Sequence, residues 1–234
     1  MKEIVLRNIK NEDFKFNEAI KTLRTNIFFS GSSVKKILFT STEPNEGKSF
    51  ISLNLAVSLA ESGKKICYID ADIRKSVFKG RYNVKEEVNG LSQILSGQTA
   101  LEESIYSTNI ENLHVIFAGP YSPSPTELFE DKLCSEMFDK LSKMDYDYLI
   151  IDTAPLGAVI DAAILAKFTD GIIIVARQGS TKKKILQRVR DQIEKTNTRI
   201  LGVVLNDVNQ KKSGYYGAYY GNYGEGYKLS LIHI

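Results

Sequence analysis

Ser41-Thr42-Glu43-Pro44-Asn45-Glu46-Gly47-Lys48-Ser49 follows the apolar run Ile37-Leu38-Phe39 and precedes a helical pattern that begins near Lys48. A strand, a tight loop and Gly-Lys-Ser at the start of a helix is the layout of a phosphate-binding P-loop. Backbone N–H groups of the loop and the first helical turn point inward at an anion, and the helix dipole adds positive potential there. Lys48 is placed to reach the β- and γ-phosphates of a nucleotide, and the Ser49 hydroxyl to ligate Mg²⁺. Pro44, Asn45, Glu46, Gly47 and Phe50 complete the candidate nucleotide-binding segment. The standard pattern has Gly five residues before Gly47, and here that residue is Thr42. The loop therefore misses the strict pattern by one residue and needs support from elsewhere in the chain.

That support is two acidic strand ends. Lys65-Ile66-Cys67-Tyr68-Ile69-Asp70-Ala71-Asp72-Ile73-Arg74 is an apolar strand running into Asp-x-Asp-x-Arg, and Tyr148-Leu149-Ile150-Ile151-Asp152-Thr153-Ala154-Pro155 is a second one ending in Asp. Any one Asp reads equally well as a solvated strand-end turn. Ligands of open parallel sheets collect beyond the carboxyl ends of the strands. Asp70, Asp72 and Asp152 are thus expected to converge where Lys48 and Ser49 hold phosphate and metal.

The chain has 234 residues, 43% hydrophobic and 25% charged, which fits one large soluble domain with tails. A net charge of +3 gives no argument for a nucleic-acid partner. No apolar run approaches the ~20 residues of a membrane span, and the start Met1-Lys2-Glu3-Ile4-Val5 does not read as a secretory signal. Two cysteines far apart, one of them in the apolar strand around Cys67, point to reduced thiols and a cytoplasmic setting. The only histidines are His114 and His233, so a His-based triad or His-rich metal site is not expected.

Residues 37–41, 65–70, 114–119, 148–153, 171–177 and 199–206 read as short apolar strands. The later ones are nearly continuous runs, as in strands buried on both faces of a parallel sheet. Between them, Ile51, Leu55 and Leu59 repeat at helical spacing before Gly63, and residues 126–143 and 180–196 carry amphipathic patterns. Alternating strands and helices imply βαβ units. The expectation is a single α/β domain of the P-loop NTPase class over residues 33–208: a doubly wound, mostly parallel sheet with helices on both faces. Residues 1–32 are read as a flanking segment whose helix, at 14–30, carries Phe16, Ile20, Leu23 and Ile27 on one side. Residues 209–234 are read as a tail. Within it, Tyr215, Tyr216, Tyr219, Tyr220, Tyr223 and Tyr227 make up six of the chain's 12 tyrosines, separated mostly by Gly. Such a stretch cannot bury enough apolar surface to offset its backbone entropy and is expected to be disordered. The apolar end Leu229-Ser230-Leu231-Ile232-His233-Ile234 is unlike what precedes it.

Together these residues resemble the bacterial tyrosine kinases of capsular and exopolysaccharide synthesis. The resemblance is closest to the Gram-positive cytoplasmic type that works with a separate membrane adaptor, and it covers almost the whole chain. That family's Walker A loop reads roughly Ser-x-x-Pro-Gly-x-Gly-Lys-Ser, which Ser41, Pro44, Gly47, Lys48 and Ser49 match, with Asn45 where Gly is usual. Asn tolerates positive φ better than most residues, so the loop can keep its shape. Asp70, Asp72 and Arg74 match the family's Walker A′ motif, and Asp152, Thr153 and Pro155 its Walker B. The tyrosine cluster after the last strand completes the pattern.

The resemblance implies ATP and Mg²⁺ as cofactors, with Ser49, Asp70 and Asp152 toward the metal and Lys48, Asp70 and Asp72 as the catalytic set. The division of roles between Asp70 and Asp72 stays open. Asn206, ending the last core strand, falls where related ATPases place an adenine-reading Asn. The tail tyrosines are implied phosphorylation sites. Glu18, Lys21 and Arg24 fit a Glu-x-x-Arg-x-x-Arg helix that builds a ring of subunits, with Lys at the first Arg position. At ~100° per residue these three share one helix arc, which by spacing alone reads as an exposed ion-pair face; the ring contact is what the resemblance implies. Implied partners are a membrane adaptor of the polysaccharide co-polymerase type, which recruits the kinase to the inner face of the cell membrane, neighbouring copies in a ring, and a cognate phosphotyrosine phosphatase. Two other readings stand beside this one. Partitioning and cell-division ATPases of the same superfamily carry a P-loop Lys that crosses a dimer interface, and counting back five from Lys48 that position is Glu43, of reversed charge. A non-enzymatic ATP-dependent scaffold would use the same nucleotide-binding residues.

Overall fold

The computed structural model describes residues 2–9 and 13–208, and the backbone alone of 230–232. Strands β1 (Lys2–Ile4), β2 (Lys36–Ser41), β3 (Ile66–Asp70), β4 (Tyr106–Thr108), β5 (Leu113–Ile116), β6 (Tyr148–Asp152), β7 (Gly171–Arg177), β8 (Ile200–Asn206) and β9 (Ser230–Ile232) form one sheet in the order β1-β4-β5-β3-β6-β2-β7-β8-β9. The β4–β5 and β8–β9 pairs are antiparallel, and every other pair is parallel. The helices are α1 (Phe14–Phe29), α2 (Lys48–Glu61), α3 (Phe78–Arg81), α4 (Leu91–Leu95), α5 (Pro125–Glu130), α6 (Lys132–Lys143), α7 (Asp161–Ala166) and α8 (Lys183–Glu194).

The central strands are buried on both faces, which is why they read as continuous apolar runs rather than alternating ones. Ile37, Phe39, Ile66 and Tyr68 point to a layer filled by α1 and α2. Leu38, Cys67 and Ile69 point to the opposite layer, filled by α4 to α8. This is the expected doubly wound architecture. The expected strand positions hold to within a few residues, with β5 ending at Ile116 rather than at 119.

Four features depart from the sequence reading. The helix at 14–30, read as a flanking piece outside the core, belongs to it: Phe16, Ile20, Leu23 and Ile27 lie in one apolar cluster with Ile51, Leu55 and Leu59 of α2. Burying each contributes about 1.5–3 kcal/mol, and a charge at Leu23 would break the contact. The helix read over 126–143 is two, because Asp131 is extended at φ −65°, ψ 152° and caps α6 by accepting the Leu133 amide. The three-residue strands β1 and β4 escaped notice, being too short to show a period. Finally, the backbone of 230–232 pairs with β8, covering ladder groups of a strand that would otherwise be an open edge. The rest of the tail, with all six of its tyrosines, lies outside the described residues.

Cys67 and Cys134 are both buried free thiols. His114 is structural, its Nδ1 2.8 Å from the Tyr146 hydroxyl. Among the described residues no helix is long and apolar enough to cross a membrane.

Candidate active site

β2, β3 and β6 are adjacent in the sheet, so their carboxyl ends deliver the loop 41–49, Asp70 and Asp152 to one place. Asp70 and Asp152 are register partners across β3 and β6. The loop turns into α2 through Gly47 at φ 93°, and Asn45 adopts φ 64°. Asn45 thus holds the left-handed conformation that Gly supplies in the standard loop. Gly47 is required twice over: its φ is positive, and a Cβ there would lie 2.1 Å from Asn206 Nδ2.

Lys48 is buried, and its Nζ donates to Asp152 Oδ1 at 2.8 Å and to Ser49 Oγ at 3.1 Å. Both side chains of the Lys48–Asp152 pair are more than nine-tenths buried, and a pair so desolvated is held by mutual dependence: removing either charge strands the other. Asp70 is only 2% exposed and among the described residues has no such cation bonded to it. Burial, then the Asp152 charge, push its carboxyl up from 3.8 to about 7, against the lowering effect of the Ser76 hydroxyl, which donates to it, and of Lys48. Beneath them Tyr68 shares a hydrogen bond with Ser52 at 3.1 Å. Burial and the charges of Asp152 and Asp70 push its hydroxyl well above the ordinary range, so it stays neutral.

Asp72 takes a different position. It is half-buried at the mouth, accepts the Lys75 amide at 3.0 Å, and donates its own amide to Asp70 Oδ1 at 3.3 Å. Asp70 and Asp152 are therefore the inner pair, and Asp72 the outer group. The inner pair, with the Ser49 hydroxyl beside it, fits a hydrated divalent cation. Of the two adjacent buried carboxylates only Asp152 is paired with the lysine, and the charge that raises Asp70 is what a cation would relieve. Among the described residues no group of three or more His, Cys, Asp or Glu side chains is arranged to hold a metal by itself. Mg²⁺ suits such a place, because it keeps several waters and takes one or two carboxylates together with phosphate oxygens.

The other expected residues fall as follows. The Phe50 ring packs on Phe16 at 5.0 Å between centroids, so only its backbone faces the loop. Pro44 is exposed at the loop tip, next to Glu43. Asn206 lies against the loop and donates its side-chain amide to the Glu46 carbonyl at 2.9 Å. Glu18 and Lys21 form an exposed pair at 2.7 Å on α1. Arg24 does not share that surface: its guanidinium turns inward and donates to the Ser58 carbonyl on α2 at 2.8 Å.

Three features were missed by sequence reasoning. Arg74, read only as a motif match, grips Asp161 with two bonds, 2.6 and 2.8 Å, and reaches Thr126 at 3.1 Å. It thereby ties the loop after β3 to α5 and α7. Gly157 after β6 lies so close to the P-loop that a Cβ would stand 2.0 Å from the Thr42 carbonyl oxygen. The Glu46 side chain, read only as part of the nucleotide-binding segment, is 2% exposed. Only the Asp-x-Asp-x-Arg spacing carried a signal for the first, and nothing local marked the other two.

This assembly has the geometry to cradle a nucleoside triphosphate, with one carboxylate left on its outer side. A family model described as an AAA domain matches residues 34–203. The tyrosine-protein kinase CpsD of Streptococcus pneumoniae is 43% identical over 213 residues, covering 90% of this chain and 93% of that protein. Among solved structures, that of the chimerical protein CapA2B2 superposes with a TM-score of 0.80 at 33% identity, covering 89% of this chain and 94% of the other. The septum site-determining protein MinD of Pyrococcus horikoshii, solved with Mg-ADP, is more distant at 24% identity and a TM-score of 0.64. It covers 76% of this chain and 72% of its own, and shares the fold alone. Sequence, fold and site geometry agree, and the chain belongs to the family of bacterial tyrosine-protein kinases built on the P-loop fold.

Proposed function

We propose that this site transfers the γ-phosphoryl group of ATP to tyrosine hydroxyls, and that the acceptors include Tyr215, Tyr216, Tyr219, Tyr220, Tyr223 and Tyr227 on a neighbouring copy of the chain. The observation that carries the reading is the meeting of Lys48, Ser49, Asp70 and Asp152 at adjacent strand ends, with Asp72 outside them. Phosphoryl transfer depends on positioning and charge neutralisation more than on covalent chemistry.

In this reading the amides of residues 45–49 and the Lys48 ammonium take the β- and γ-phosphates. Phosphate oxygens then replace Asp152 as the partner of Lys48, which frees that carboxylate. Ser49, Asp70 and Asp152 would hold Mg²⁺, whose chemistry is to neutralise charge on the β- and γ-phosphates. Asp72, on the open side, accepts a hydrogen bond from the incoming tyrosine hydroxyl and orients it. Asn206 flanks the loop on the side proposed for the adenine. The Glu18–Lys21 pair is proposed to serve the ring contact, while Arg24 supports it from behind by fixing α1 to α2.

The biological setting follows the resemblance: regulation of capsular or exopolysaccharide synthesis, at the inner face of the membrane, through a separate membrane adaptor and reversed by a phosphotyrosine phosphatase. Similarity to a chimeric protein, CapA2B2, supports a two-component arrangement. The experiment is incorporation of label from γ-labelled ATP into phosphotyrosine, with a Lys48→Met control. Removal of one preorganised electrostatic contact costs about 2.7–4 kcal/mol, so incorporation should fall at least ~100-fold. Near-normal labelling by folded Lys48→Met protein would refute the assignment.

A further inference from the structure

The loop lacks the glycine of the standard pattern at Thr42, and Glu46 is buried inside it. The two departures are connected. Glu46 Oε2 accepts the amides of Thr42 at 2.7 Å and Glu43 at 2.9 Å. Its Oε1 accepts the Thr42 hydroxyl at 2.7 Å and the Thr181 hydroxyl. An ionised carboxylate offers about four acceptor positions, and here each oxygen takes two donors. The contact with Thr181 spans 135 residues of sequence. Thr181 in turn accepts the Arg177 amide at 2.8 Å, at the turn between β7 and α8. That same turn meets Asn206, whose carbonyl accepts the Gln178 amide at 2.9 Å while its side chain donates to the Glu46 carbonyl, also at 2.9 Å. The loop, the turn 177–182 and the end of β8 are thereby closed into one hydrogen-bonded unit around a single buried carboxylate.

We propose that Glu46 is a positioning residue for the nucleotide. Its carboxylate clamps the first half of the phosphate loop to the β7–α8 turn, so that the amides of residues 45–49 are held in place before the phosphates arrive. This rests on the reading of residues 41–49 as the phosphate site. The first two loop amides serve Glu46 and are withdrawn from the ligand, while those from Asn45 onward remain for it. Thr42 is then not a defect in the pattern: its hydroxyl supplies a donor that glycine could not.

The test compares Glu46→Gln, Glu46→Asp and Thr181→Val with the parent chain and with Lys48→Met. Binding of Mg-ADP and Mg-ATP is measured by calorimetry, kcat and KM by tyrosine phosphorylation, and folding by thermal melting. Glu46→Gln puts a donor where two donors already point, and should weaken nucleotide binding about tenfold or more and lower kcat. Glu46→Asp, which keeps the acceptors, should recover part of that loss. Thr181→Val removes the far end of the clamp alone, and should raise KM for ATP several-fold with kcat near the parent value. A purely structural role would lower the melting temperature without this separation of KM from kcat. Parent-like nucleotide affinity and KM in folded Glu46→Gln and Thr181→Val would overturn the proposal. Should Glu46→Gln fail to fold, parent-like affinity in both Glu46→Asp and Thr181→Val would overturn it. Lys48→Met separates the two levels: retained transfer sinks the phosphate-site reading itself, whereas lost transfer beside unchanged Glu46→Gln and Thr181→Val binding sinks the clamp alone.

Discussion

Asp70→Asn should make the nucleotide-free protein more stable at pH 8, although it removes a residue of the proposed active site. Asp70 is almost fully buried next to Asp152, and its carboxyl is raised from 3.8 to about 7, first by burial and then by the Asp152 charge. A raised folded-state value means that the folded protein holds the proton more tightly than the unfolded chain does. The contribution of Asp70 is therefore fully present below about pH 4, declines as pH rises, and is lost above about pH 7. Moving a carboxyl from 3.8 to about 7 corresponds to a ceiling of about 4 kcal/mol. Asn cannot ionise and abolishes this slope. The assay is urea unfolding in EDTA, without nucleotide, at pH 5, 6, 7 and 8. The stability difference between Asp70→Asn and the parent should be about 1–2 kcal/mol at pH 5 and grow to at most about 4 kcal/mol in favour of the variant at pH 8. The difference between the two proteins isolates Asp70 from other carboxylates, such as Asp145, which Lys65 holds below its usual range. If Mg-ATP binds the ionised site as proposed, it should stabilise the parent more than the variant. A variant less stable than the parent at pH 8, or a difference that does not change with pH, would refute the reasoning.

Asp152→Asn is expected to do the opposite, since it strands the buried Lys48 ammonium: a loss of roughly 3–5 kcal/mol in the nucleotide-free protein, measured by the same unfolding assay. Both variants should raise the Mg²⁺ requirement for transfer. Asp72→Asn should lower transfer without that change, and parent-like kinetics for it at every Mg²⁺ concentration would make Asp72 structural. Gly157→Ala should weaken nucleotide binding about tenfold or more, because its Cβ would stand 2.0 Å from the Thr42 carbonyl oxygen and push the loop; calorimetry checks this. Mixing a Lys48→Met chain, tail intact, with an active chain lacking residues 213–234 should put label on the inactive chain. Label found only when both functions share a chain would exclude transfer between subunits.

What the sequence made legible is what depends on local order. The strand–loop–helix of residues 37–61 and the acidic ends of β3 and β6 could be read because a parallel sheet brings its strand ends to one edge, and Asp70 and Asp152 are indeed register partners. The positive φ of Asn45 was legible from residue type. What was hidden depends on partners distant in the chain. Arg74 and Asp161 are 87 residues apart, and nothing in either neighbourhood names the other. Glu46 carries the charge of an ordinary loop residue, and the fourth donor to its buried carboxylate, Thr181, lies 135 residues away. The apolar stripe of α1 announced that the helix packs, but not that its partner is α2. Arg24, spaced with Glu18 and Lys21, left their surface because the end of α2 offered it the Ser58 carbonyl.

A kinase moves phosphate from ATP to tyrosine, where an ATPase of the same fold moves it to water. The most direct measurement follows γ-labelled ATP with the purified full chain and its Lys48→Met variant, and partitions the label between phosphotyrosine and inorganic phosphate. Label should appear on tyrosine in the parent chain, on the peptide carrying Tyr215 to Tyr227, and fall by at least ~100-fold in the variant. Release of all label as inorganic phosphate, with none on tyrosine, would contradict the kinase assignment.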